Sequence, residues 1–283
     1  MIAFHSNWTL PYLKKNSIYK MQDYEILVTI LSALKWREKN GSIKMITDKI
    51  GEEYYRRIGI APIWDLGIDT SLENIDSEIN PELFWAAGKI YALASQNAPV
   101  VMIDTDFIVW NHLNDDLKHK DIAVIHYEEI DHSIYPGKYY FNMKDNYIFN
   151  EEWSWQVKPC NTAFAYINNN KFKEEYTSSS IDFMRSLKDD SNKIINMVFA
   201  EQRIISMIAD KMNLEIFPME NLDNLKDNNQ DKYTHIWGYK RTLNNNEIIR
   251  RSFCEKVIKR IKSDFPEYID MLRNIKELNK YNI

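Results

Sequence analysis

The chain has 283 residues, 45% hydrophobic and 27% charged, enough apolar material for one large domain or two small ones. Its formal net charge of −5 argues against general nucleic-acid binding, and two cysteines, Cys160 and Cys254, argue against a disulfide scaffold and fit a reducing compartment. With only 7 glycines and no Walker or dinucleotide fingerprint, a glycine-rich phosphate cradle is not expected.

Residues 1–6 lack the basic segment and apolar run of a signal peptide, and no apolar run is long enough to span a bilayer. A soluble, cytoplasmic protein is expected. Residues 2–5 read as a first strand. Residues 22–39 place Ile26, Ile30, Leu31 and Leu34 at helical spacing, and Asn40-Gly41 closes that helix. Residues 43–46 read as a strand, and Thr47-Asp48 caps a helix that runs through Arg57. Pro62-Ile63-Trp64 reads as a third strand. Pro81 opens a helix with Leu83, Ala87, Ile90 and Leu93 along one side, and Pro99 introduces a fourth strand. Strand–helix alternation of this kind predicts an α/β fold, a mainly parallel central sheet flanked by helices. Ligands in such sheets bind beyond the carboxyl ends of the strands.

The fourth strand, Val100-Val101-Met102-Ile103, runs straight into Asp104-Thr105-Asp106. Its unbroken apolar character predicts burial on both faces. Side chains two apart in an extended chain share a side, so Asp104 and Asp106 can converge. Two crowded carboxylates repel unless a cation lies between them, and a hard divalent ion, Mn²⁺ or Mg²⁺, suits oxygen ligands and phosphate partners. A solvated strand-end loop is the plain alternative. Acids flanked so closely by apolar residues are seldom without a partner.

Downstream, residues 121–125 and 163–167 read as strands, and residues 171–187 and 194–212 as helices. Residues 135–155, with Tyr135, Tyr139, Tyr140, Phe141, Trp153 and Trp155, read as aromatic-rich loops that pack as core or receive an acceptor. Residues 214–218 read as a short strand and 221–232 as a mobile polar loop. Helices over 247–262 and 266–281 end the chain. The segment from Lys240 onward is basic, and its first helix carries an apolar stripe, Ile249, Phe253, Val257 and Ile261. Such a helix docks on its own domain or makes peripheral contact with an anionic membrane face.

The Asp-x-Asp after a Val-Val-Met-Ile strand resembles the metal signature of GT-A fold glycosyltransferases. Three further segments, in order, resemble the retaining, family 8 type of these enzymes. They are Asn161-Thr162-Ala163-Phe164-Ala165-Tyr166-Ile167-Asn168, Glu201-Gln202, and His235-Ile236-Trp237-Gly238-Tyr239-Lys240. Trp85-Ala86-Ala87-Gly88-Lys89 resembles uncharacterised bacterial relatives. The resemblance implies a GT-A domain over residues 1–245, with a helical extension over 246–283. It implies transfer of a sugar, hexosyl-like, from a nucleotide-sugar donor, a UDP-sugar, to a glycan, lipid-linked or protein acceptor. It also implies Mn²⁺ or Mg²⁺ held by Asp104, Asp106 and His235, and catalytic roles for Glu201 and Gln202. Donor contacts would come from His5, Lys89, Asp104, Thr105, Asp106, Asn161, Gly238, Lys240 and Arg241. The pattern departs from the family at Glu201, at Thr162-Ala163 and at Lys240, one residue early. A GT-A fold that binds a nucleotide or glycan without transferring sugar is the alternative.

Overall fold

In the computed structural model, which describes residues 1–188, 192–226 and 231–283, the apolar runs pair largely as parallel neighbours. The strands are β1 (Ala3–Asn7), β2 (Ile43–Thr47), β3 (Ile68–Asp69), β4 (Val100–Ile103), β5 (Phe107–Val109), β6 (Ile122–Tyr127), β7 (Cys160–Ile167), β8 (Ile216–Pro218) and β9 (Tyr233–His235). Among the described residues, seven form one sheet in the order β3-β2-β1-β4-β7-β6-β8. The β1/β2, β2/β3, β1/β4 and β6/β8 pairs are parallel, and β7 runs against both β4 and β6. This is the mainly parallel α/β architecture expected.

β4 is buried along its whole length because helices cover both faces. Val101 and Ile103 face one core, shared with the helices Asp23–Lys39 and Glu247–Asp264. Val100 and Met102 face the other, shared with the helices Ala87–Ala94 and Asn170–Ser186. The period of two along a strand thus divides one apolar run between two layers.

Local chemistry sets the helix ends. The Glu25 carboxylate accepts from Gln22 N at 2.7 Å, so the long helix Asp23–Lys39 starts at Asp23. Asn40 ends it, and Gly41 follows at φ +128°, where a Cβ would lie 2.4 Å from Met1 O. Asp48 caps the helix Lys49–Arg57 through Gly51 N at 2.9 Å and also accepts from Thr9 N at 2.7 Å. That carboxylate pins the segment after β1 to the start of the helix after β2.

Several elements differ from the sequence reading. Pro62 lies in a 3₁₀ turn, Ala61–Ile63, and the third strand is the two-residue β3. Ile63 and Trp64 are buried by packing rather than strand pairing, which a short apolar run cannot distinguish. The turn after Pro81 is not continued, and the helix begins at Ala87. Residues 266–281 break into a 3₁₀ turn Pro266–Tyr268, a helix Ile269–Arg273 and a 3₁₀ turn Lys276–Leu278. Of the polar loop expected over 221–232, Leu222–Lys226 is helical, and residues 227–230 lie outside the described residues.

The helix Glu247–Asp264 buries Cys254, Val257, Ile258 and Ile261 in the same core as the helix Asp23–Lys39. Among the described residues, no helix is long and apolar enough to cross a membrane. The terminal segment is tied down at Asp23. Tyr281 Oη donates to Asp23 Oδ2 at 2.5 Å, Lys280 Nζ lies 2.7 Å from the same oxygen, and Tyr24 N donates to Oδ1 at 2.8 Å. Burial works to raise the Asp23 pKa, but Lys280, Tyr281 and the Tyr24 N–H outweigh it and hold it below the ordinary carboxylate range. A depressed carboxylate contributes stability above its unfolded pKa and loses it as pH falls through the folded one. Asp23→Asn is therefore expected to remove about 2 kcal/mol at pH 7 and to flatten the acid limb of stability below about pH 4. Urea unfolding at pH 7 and pH 3 checks this; an equal loss at both would dissociate the effect from the charge.

Candidate active site

The strand order reverses between β1 and β4, since β2 and β3 lie on one side and the later strands on the other. Crevices at such switch points open beyond the carboxyl ends of the strands. Asp104 stands at this point. β4 ends at Ile103, and Phe107 N donates to Asp104 O at 3.0 Å, so Asp104-Thr105-Asp106 is a tight turn rather than a strand extension. The acids converge because the chain folds back into β5.

β5 pairs antiparallel with β9, with Phe107 opposite His235 and Val109 opposite Tyr233. This register sets the imidazole beside the turn, and His235 Nε2 lies 3.7 Å from Asp106 Oδ2. One ligand atom each from Asp104, Asp106 and His235 lies within 4.8 Å of the others. Burial lowers the His235 pKa to about 4, with Lys240 and Lys89 adding to the shift against Asp106, so the ring is neutral at pH 7 and can act as a metal ligand.

Two ammonium groups flank the acids. Lys240 Nζ is 2.8 Å from Asp106 Oδ2. Lys89, on the helix Ala87–Ala94, places Nζ 2.8 Å from Asp104 Oδ1 and also pairs with Glu201. Burial opposes the Lys89 charge, but Asp104 and Glu201 carry its pKa above the usual lysine value. Asp104 is pushed up to about 6 by burial, with Asp106 and Glu201 adding to the rise against Lys89. Burial works to raise Asp106 as well, but Lys240 and His235 hold it below the ordinary range.

Glu201 is 7% exposed and lies in a π-helical turn, Phe199–Arg203, between two α-helical segments. Such a turn widens the helix locally and often marks a functional position. Tyr176 Oη donates to Glu201 O at 2.7 Å and Ser180 Oγ to Ala200 O at 2.8 Å, which fixes the turn. Thr162 Oγ1 donates to Glu201 Oε1 at 2.6 Å. Gln202 Oε1 accepts from Tyr135 Oη at 2.6 Å. Asn161 Nδ2 donates to Glu128 Oε1 at 3.0 Å.

These groups line one cavity of about 330 Å³, bounded by Lys89, Asp104, Asp106, Asn161, Glu201 and His235. Thr105, Gln202 and Lys240 line it too. A neighbouring hollow of about 220 Å³ shares Asn7, Thr105, Asp106 and Lys240 and reaches Tyr12, Tyr19 and Tyr55. A larger hollow of about 600 Å³ lies elsewhere, by Lys35, Trp110 and Arg260. There Lys35 is already paired with Glu38 and Asp264, and Arg260 with Asp264.

Three expected donor contacts lie outside the cavity lining. His5 is fully buried, bonded through Nε2 to Ser32 Oγ at 3.0 Å and through Nδ1 to Trp64 Nε1 at 3.2 Å. Burial lowers its pKa to about 3, so it is a neutral core group. Gly238 and Arg241 are exposed, and Lys240 rather than Arg241 meets Asp106. The sequence reading missed Trp8 and Trp237 as cavity residues and the Tyr135–Gln202 contact. Single aromatics carry no periodic signal. The approach of Trp8 to the helix was marked only by Gly88, where a Cβ would lie 2.7 Å from Trp8 Cβ.

No curated protein matches the chain in sequence. Among solved structures it is similar to the glycosyltransferase GlyE of Streptococcus pneumoniae TIGR4, at 15% identity and TM-score 0.38, over 77% of this chain and 45% of that one. It is also similar to mouse xyloside xylosyltransferase 1 in its apo form, at 7% identity and TM-score 0.40, over 78% of this chain and 85% of that one. The chain thus spans just under half the length of GlyE. A family model described as a family of unknown function (DUF6734) matches residues 1–275, and the chain belongs to that family.

Proposed function

We propose that this chain is a divalent-metal-dependent glycosyltransferase of GT-A type, taking its sugar from a nucleotide-sugar donor, a UDP-sugar. The observation that carries the reading is one cavity at the β1/β4 switch point. It gathers two carboxylates, a neutral imidazole, two ammonium groups and a buried glutamate. The donor set fits a divalent ion. Two oxygens and one nitrogen within 4.8 Å suit Mn²⁺, and three carboxylates, of Asp104, Asp106 and Glu201, face the ammonium groups of Lys89 and Lys240, which leaves negative charge that a cation would offset. Asp104, Asp106 and His235 would hold the ion, which when bound supplies positive charge against the donor's diphosphate oxygens.

The chain's own residues do the rest. Lys240, beside Asp106, donates to a phosphate oxygen and opposes the charge that builds as the nucleotide departs. Lys89 holds Asp104 and Glu201 in register. Glu201 and Gln202 face the reacting sugar, where a carboxylate favours the oxocarbenium-like transition state. The tyrosine-lined hollow on the β1 side takes the nucleoside.

Thermal unfolding with nucleotides tests this. UDP with Mn²⁺ is expected to raise Tm by about 5 °C at a hundredfold excess over Kd, and UDP in EDTA is expected to give no shift. A nucleotide-independent response, or an equal shift in EDTA, would remove the reading.

A further inference from the structure

The Asp104 cavity has an aromatic rim that no step above uses. Of the 8 tryptophans in the chain, two are exposed, Trp85 at 43% and Trp237 at 59%, and both line this cavity. The others are covered or half-covered, Trp36 at 0%, Trp64 at 2% and Trp153 at 6% among them. Singly exposed apolar side chains are ordinary, but two indoles on one polar cavity give a ligand apolar faces to pack on.

The rings are attached to the reacting centre. Trp237 begins the 3₁₀ turn directly after β9, with its ring 5.9 Å from the His235 ring. Trp85 lies four residues before Lys89, just ahead of the helix that delivers that lysine to Asp104. The same cavity wall carries polar side chains: Asn161, Gln202, Ser6 and Asn7.

We infer that the Trp85–Trp237 rim is the acceptor subsite and that the acceptor is a carbohydrate. This rests on the transferase reading above. A sugar ring is the ligand whose chemistry matches both parts of the wall. Its C–H face packs on an indole face, and its hydroxyl edge both donates to and accepts from amide and hydroxyl side chains. An acyl chain offers no hydrogen-bonding groups to the polar side chains of this wall, which is unfavourable. Trp237 places the acceptor ring beside the metal ligands, and Trp85 places it beside the Lys89–Glu201 pair.

The test is binding of labelled hexose and N-acetylhexosamine oligosaccharides to the full chain in the presence of UDP and Mn²⁺. The variants are Trp85→Ala, Trp237→Ala and Trp237→Phe. The wild type binds oligosaccharides. Each alanine variant weakens binding about tenfold, a larger change than it makes in UDP affinity, and Trp237→Phe recovers most of the loss by restoring a ring face. Both rings are exposed, and circular dichroism checks that the variants fold. Oligosaccharide binding absent from a wild type that binds UDP overturns the inference, as does preference for a dodecyl alcohol, or equal losses for sugar and UDP. Tryptophan-dependent sugar binding by a protein that ignores UDP would instead support the subsite and remove the transferase reading.

Discussion

Asp106→Asn is expected to lower sugar transfer by about a thousandfold, the scale of losing a charged group that acts on the transition state. The side chain has three partners at once. It contributes a ligand atom to the group with Asp104 and His235, it faces His235 Nε2 at 3.7 Å, and it pairs with Lys240 at 2.8 Å. An amide keeps the shape and removes the charge, so Lys240 loses its counter-charge, as an ion held there would. The fold should survive, because the amide keeps the side chain's shape and the Lys240 left without its ion pair is partly exposed. Transfer rates, Tm and the Mn²⁺-dependent UDP shift measured on one preparation check the expectation. Undiminished transfer in a folded variant would detach the chemistry from the acid pair.

Lys89→Met should instead affect the fold. Its ammonium lies between Asp104 and Glu201, with Thr162 O accepting at 3.3 Å. Methionine fills similar space and leaves the buried Glu201 carboxylate facing the half-buried Asp104 without a counter-charge, a change of about 2 kcal/mol, below the cost of breaking a fully buried pair. The sign of the pH dependence follows from Asp104, which is already pushed up to about 6 with the lysine present. A carboxyl whose folded pKa exceeds its unfolded value binds its proton more tightly in the folded state, so stability rises as pH falls towards the unfolded pKa. The gap between variant and wild type should therefore be wide at pH 7.5 and narrower at pH 5.5, with both measured in EDTA by urea unfolding. A gap independent of pH would assign the loss to packing.

How much was legible in the sequence depends on how local each signal is. β1, β2, β4, β6 and β7 were each foreseen, because each holds a short cluster of apolar residues, unbroken throughout in β4. The helix after Asp48 was foreseen from its cap. β5 and β9 were not. Each has three residues, and their partnership joins positions more than a hundred residues apart. The place of His235 therefore came from a resemblance, and its physical basis, the register with Phe107, appears only in three dimensions. Asp104 and Asp106 were singled out correctly as neighbours in space, but for an extended-chain reason that the tight turn replaces. His5 shows the reverse case. The resemblance implies a donor contact there, yet Ser32 and Trp64 hold it in the core.

The β5–β9 ribbon also constrains how such a chain can drift over generations. Alternation along a strand means that one residue inserted between Phe107 and Val109, or between Tyr233 and His235, turns every later side chain to the opposite face. The imidazole would then leave the acids although no ligand had been substituted. Segments outside the ribbon face no such parity, since lengthening a loop adds only a slowly growing entropy. Length changes should accordingly gather in the connections and spare these two short strands, a pattern of indels that would betray the ribbon even where residue identities have been scrambled.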